Sequence, residues 1–270
     1  MAGQTKTVRQ ARTHMSTYPV SSLKRAADIV EVLLEQRTAG VTTVANALEI
    51  PKSTAYDHLQ TLEQVGYLVK DGGKYRLSTR FLHVGESARN SHELFVHGRD
   101  KALTLAEAVD ETMYVQLVTE EHGKCASLFA SRAQNTQTPR SVTSYPRRPH
   151  LHTNAPGKAI LATEDDETVT QILDEHGLPR WTSNTITDED ALWDELDQIR
   201  EVGYAADDEE VVAGMRGVAA SVVTGDTVHG AIAVYGTSDL LVDESHESQV
   251  IDLVEDAADE IQANVIFAQE

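Results

Sequence analysis

A single cysteine, Cys125, stands in 270 residues, so no disulfide can form within the chain. That usage fits a reducing, cytoplasmic setting. No apolar run approaches the roughly 20 residues that a bilayer-spanning helix needs. The opening MAGQTKTVRQARTHMSTYPV is basic but lacks the apolar core of a secretory signal, and reads as a polar arm over residues 1–20. The usual signs of catalysis are missing too. "GMRG" and "APGKA" hold glycines without phosphate-loop spacing, and "DDEE" at 207–210 lacks the alternating acids and central glycine of a calcium loop. His150 and His152 would share one face of a strand, but nothing in the sequence supplies the third and fourth ligands of a metal site. No Ser-His-Asp or Cys-His set declares itself. No enzymatic role, cofactor or metal is expected.

Positive charge is the scarcest commodity. There are 23 Lys+Arg against 43 Asp+Glu, a formal net charge of -20. The imbalance is uneven: residues 1–101 hold 14 basic against 10 acidic side chains, and the rest 9 against 33. The acidity therefore belongs to the last two thirds. It suits a halophilic chain kept soluble in strong salt, and says nothing of fold.

The length allows two domains. In the first, SLKRAADIVEVLLE (22–35) places Ala26, Ile29, Val30 and Leu33 at helical spacing, with Ser21 or Ser22 as N-cap. A short helix over Thr43–Leu48 and the connection "EIP" follow. A third helix then runs from about Ser53 to Val65, started by Pro51 and stopped by Gly66. Two β-prone runs flank "DGG" at 71–73, a hairpin signal. Three helices and a hairpin make a winged helix-turn-helix over 21–80. Gly85 and Gly98 are the only breakers in 81–98, read as a connecting helix, with Gly98 marking the start of a second domain over 99–270. There, strands alternate with helices: a hairpin within 112–131, a helix near 157–162, and an amphipathic helix (Leu192, Leu196, Ile199) capped by Thr187 with Asp190. A hairpin about "TGD" and a final helix striped with Val250, Leu253, Val254, Ala257, Ile261 and Val265 complete it. The fold class is α+β with a largely antiparallel sheet and flanking helices.

On a 100° wheel Ala55, His58, Leu59 and Leu62 of the third helix face a core. Ser53, Asp57, Gln60 and Gln64 face outward, with Thr54 and Tyr56 beside them. Hydroxyls and amides can meet base edges, Gln can bond adenine at two atoms, and Asp can accept from a cytosine amino group. Lys52, Lys24 and Arg25 on the first helix, and Lys74 and Arg76 on the hairpin, can neutralise phosphates. Double-stranded DNA is thus the expected partner. The alternative is a winged helix used for protein contact.

The order and spacing of "SLKRAADIVEVL…VTTVANALEIPKSTAYDHLQTLEQVGYL", "LHTNAPGKAILA", "TITDEDALWDELDQIREVGYAADDEEVVAGMRGVAASV" and "GAIAVYG" resemble the IclR family of transcriptional regulators over residues 21–267. The resemblance implies a GAF-like C-terminal effector domain, homodimers often paired into homotetramers, and control of metabolic genes by a small molecule. That effector would be a small organic acid or a sugar-derived metabolite. It carries the effector pocket onto Ala155, Pro156, Asp207, Met215, Gly217, Ala233 and Tyr235. Many members have cysteine where Gly217 stands and small hydroxylated residues at Ala233 and Tyr235, so a hydroxylated effector fits better here. Family members often carry arginine where Asp57 stands, so no known operator transfers.

Overall fold

The computed structural model describes residues 18–132, 148–241 and 244–269. Of the expected N-terminal arm only Tyr18–Val20 are described; residues 1–17 lie outside. Two compact units divide between Ser87 and Ala88.

In the first unit, α1 (Ser21–Gln36), α2 (Val41–Ala47) and α3 (Lys52–Gln64) precede a hairpin of β1 (Leu68–Asp71) and β2 (Lys74–Leu77). Neither serine caps α1: Val20 is its N-cap residue and no side chain accepts there. Ile29, Val32 and Leu33 of α1, Val44 and Ala45 of α2, and Ala55 and Leu59 of α3 meet Leu68 and Tyr75 in one core. The hairpin turn falls on Gly72 and Gly73, both at positive φ (52° and 80°), as a tight two-residue turn requires. The loop after α1 joins β2, with Ala39 and Tyr75 exchanging backbone bonds of 3.0 and 2.8 Å. This fixes the wing against the helices.

The connecting helix expected over 81–98 is instead two helices, α4 (Arg80–Arg89) and α5 (Glu93–Ala108). The break comes at Asn90–His92. Gly98 is no boundary: it is buried in mid-helix, where an added Cβ would lie 3.2–3.4 Å from Ile261 and Leu117. The division at 87/88, ahead of residue 99, follows from that packing.

In the second unit, β3 (Tyr114–Glu121), β4 (Lys124–Ser131), β5 (Ala205–Asp208), β6 (Met215–Thr224) and β7 (Thr227–Thr237) form one antiparallel sheet in the order β4-β3-β7-β6-β5. Period-two alternation divides the side chains. Val115, Leu117, Val218, Ala220, Val222, Ile232 and Val234 face α5 and α9 (Glu244–Gln269). Tyr114, Ala219, Ala231, Ala233 and Tyr235 face α6 (Ala155–Thr163), α7 (Asp166–His176) and α8 (Glu189–Val202). The result is an α+β unit with helices on both faces of the sheet, consistent with a GAF-like arrangement. The stripe on α9 is buried as expected, except that Leu253 is half-buried. The cap of α8 is Asp188, whose side chain accepts from the Ala191 N–H, and not Thr187.

Candidate nucleic-acid interface and ligand site

Packing Ala55 and Leu59 inward turns the opposite face of α3 to solvent. Lys52, Ser53, Tyr56, Asp57 and Gln64 are exposed, and Thr54 and Gln60 are half-buried beside them. His58 is half-buried on the core side. No side chain caps α3 at Pro51, so its first-turn N–H groups are open. Lys74 and Arg76 are exposed on β2, and Arg25 on α1. Lys24 is half-exposed, and its ammonium pairs with Asp28 one turn on and lies 5.7 Å from the centre of the Tyr18 ring. At the far end of α3, Arg80 donates to the Val65 carbonyl (2.7 Å) while its guanidinium packs over Tyr67.

In the second unit, strand register assembles what sequence distance separates. Asp207 lies opposite Gly217, Gly217 opposite Tyr235, and Tyr235 opposite Tyr114. Four strands thus contribute one rung, turned toward the start of α6. Tyr235 is buried and its hydroxyl holds the rung to the helix. It donates to Asp207 Oδ2 (3.1 Å) and accepts from the Ala155 N–H (3.2 Å). Asp207 Oδ1 accepts from the Glu210 N–H at 2.8 Å. Burial pushes the Asp207 carboxyl up to about 7, against the pull of that hydrogen bond. The rings of Tyr114 and Tyr235 stack 5.6 Å apart at 14°. The Tyr114 hydroxyl is buried without a hydrogen bond of good geometry, and burial raises its pKa well above the usual tyrosine value.

The residues carried over as a pocket are therefore partly united. Ala155, Asp207, Gly217 and Tyr235 form the rung and its helix contact. Ala233 is buried one alternation along β7, on the same face. Pro156 is buried in the first turn of α6, and Met215 is half-buried at the start of β6.

Sequence reasoning passed over Tyr114 and a buried ion cluster behind the rung. Lys158 Nζ lies 2.7 Å from both Glu195 Oε1 and Glu210 Oε1 and is only 2% exposed. Burial opposes its charge, but Glu210 and Glu195 outweigh burial and hold its pKa above the ordinary lysine value. Burial raises Glu210, against the attraction of Lys158, and the second acid, Glu195, adds to the rise. Two carboxylates, Glu210 buried and Glu195 partly exposed, thus share one buried cation.

His150 and His152 do not share a strand face. His150 makes an isolated bridge to Lys124, and His152 lies in a 3-10 turn, Leu151–Thr153. Burial pushes both imidazoles down to about 4. Among the described residues no group of three or more His, Cys, Asp or Glu is placed to hold a metal ion, and no helix is long and apolar enough to cross a membrane. Cys125 is buried, its thiol pushed up to about 12 by that burial, and donates to Asn154 Oδ1.

Two family models match this chain. The IclR helix-turn-helix domain covers residues 22–72, and the bacterial transcriptional regulator IclR C-terminal domain covers residues 90–263. The chain belongs to the IclR family of transcriptional regulators. It is 31% identical, over 91% of its length and 94% of the relative's, to a protein of Halobacterium salinarum named probable HTH-type transcriptional regulator ArcR. Among solved structures it resembles an IclR transcriptional regulator from Alicyclobacillus acidocaldarius (TM-score 0.76, 23% identity, 92% of this chain and 100% of that one). Another is an IclR homolog from Microbacterium hydrocarbonoxydans complexed with 4-hydroxybenzoate (TM-score 0.74, 22% identity, 90% and 98%). As an IclR regulator, the chain is a DNA-binding transcription regulator with a C-terminal effector domain.

Proposed function

We propose that this IclR regulator reads an operator near metabolic genes through the outer face of α3, as a cytoplasmic homodimer or homotetramer, and that a small molecule at the Asp207–Tyr235 rung alters that binding. The observation that carries the reading is the composition of the α3 face. Hydroxyl, amide and carboxylate groups stand exposed above a core of Ala55 and Leu59, with cations confined to its edges at Lys52, Arg25, Lys74 and Arg76. Ser53, Asp57 and Gln60 then meet base edges, while Lys52, the wing and the open N–H groups of α3 meet phosphates. Strong salt screens charges beyond about 3 Å at ~1 M, so short-range base contacts carry more of the recognition there.

Two surfaces support self-association. α4 buries no residue and exposes Leu82 and Val84, and α1 exposes Leu23. A two-fold pair would read half-sites about 34–36 Å apart, one helical turn of DNA. No catalytic step is assigned: Cys125 is a buried, protonated thiol and Lys158 is neutralised by its two acids.

Mobility-shift assays at multimolar KCl test the reading. The full chain should retard DNA from upstream of its own gene and leave unrelated DNA of equal length free. Equal retardation of both would leave only sequence-independent DNA binding, and retardation of neither would favour a winged helix that contacts protein.

A further inference from the structure

Tyr235 occupies an unusual place for so large a residue. A Cβ added at Gly217 would lie 2.4 Å from Cε1 and 2.5 Å from Cδ1 of the Tyr235 ring, so the ring fills the space that any other residue at 217 would need. Glycine on β6 and tyrosine on β7 are thus a matched pair. The hydroxyl at the end of that ring does two things at once. It accepts from Ala155, one of the first-turn N–H groups of α6 that have no partner within the helix, and it donates to the carboxylate of Asp207. A neutral hydroxyl can serve both partners. A ligand carboxylate can accept from Ala155 but has no proton for Asp207, and it brings a second negative charge to a buried site already facing Asp207. Beside this point the Tyr114 hydroxyl is buried without a good hydrogen bond, so a second polar contact is on offer.

Building on the proposed effector site, we infer that it selects an uncharged, hydroxylated molecule. One ligand hydroxyl takes the two bonds now made by Tyr235 and another reaches Tyr114; Asp207 sets the preference for a neutral ligand, and Tyr235 sets the affinity by standing in for it. Binding then competes with an internal hydroxyl. The apparent affinity is reduced by the fraction of molecules in which Tyr235 holds the site.

The test is calorimetric titration of the full chain at pH 8.5, where Asp207 is ionised. The neutral probes are glycerol, erythritol and ribitol, and the matched acids are glycerate, erythronate and ribonate. The natural chain should bind the polyols at least ten-fold more tightly than the acids. Tyr235→Phe keeps the ring but loses the competing hydrogen bonds, and should bind the polyols about ten-fold more tightly than the natural chain. Asp207→Asn should bind the acids nearly as well as the polyols. A natural chain that prefers the acids would overturn the inference. So would a Tyr235→Phe variant no tighter for polyols, or an Asp207→Asn variant that still rejects acids. In each of those cases the effector reading would stand. Absence of heat from all six probes with all three proteins would count against the effector site itself, and the inference would fall with it.

Discussion

Lys158→Ala is expected to lower the stability of the C-terminal unit by about 3–5 kcal/mol, the cost of leaving a buried charge without its partner. Lys158 is 2% exposed and its two acids are 29% and 7% exposed, so little water reaches Glu210 to replace the ammonium. Glu210 Oε2 is already buried without a hydrogen bond, which makes the loss harder to absorb. The double change Lys158→Met with Glu210→Gln should recover most of the deficit, because it removes the stranded charge as well as the cation. Denaturant unfolding at fixed high salt, followed by far-UV circular dichroism, measures both. A single-variant loss below about 1 kcal/mol would mean that the cluster is more hydrated than its geometry implies.

The second large effect concerns DNA. Each phosphate contact releases condensed counterions, so the slope of log affinity against log salt is about 0.9 per contact. Replacing Lys52, Lys74 and Arg76 by alanine should reduce that slope by about 2–3 and weaken binding to all sequences alike. Lys24→Ala should change the slope far less, because its ammonium is held by Asp28 on its own helix. Fluorescence anisotropy across a salt series reads the slopes. An unchanged slope in the triple variant would remove the wing and the start of α3 from the phosphate path.

The first unit was readable because its signals are local. Pro51 and Gly66 bracket α3, Ala55, Leu59 and Leu62 recur at helical spacing, and the turn at Gly72–Gly73 needs two residues that adopt positive φ. The resemblance to IclR regulators added the domain order. What escaped depends on long-range packing. Gly98 looked like a breaker, but it is the small residue that lets α5 approach Ile261 and Leu117. Asp188 displaced Thr187 as the cap of α8, since both precede the helix with suitable side chains and only the backbone decides between them. The pairing of Lys158 with Glu195 and Glu210 spans 37 and 52 residues, which no periodicity reports. Tyr114 joined the rung only once β3 was placed beside β7 in register. Asp207 and Tyr235 were located by resemblance, but the bond between them and its continuation to Ala155 required the fold.

Asp57 carries the sharpest expectation about how α3 reads DNA. It stands exposed in the middle of the α3 face, where a carboxylate repels phosphate yet can accept from a cytosine amino group. The most direct test compares the natural chain with the Ser53→Ala/Asp57→Ala/Gln60→Ala variant, titrated against the retarded upstream DNA and against a scrambled duplex of the same composition. Each good base contact is worth about 1–3 kcal/mol of discrimination, so the variant should lose at least ten-fold of the ratio between the two duplexes while its affinity for the scrambled one holds or rises with the loss of a carboxylate. A ratio unchanged by the triple substitution would show that α3 does not read the sequence.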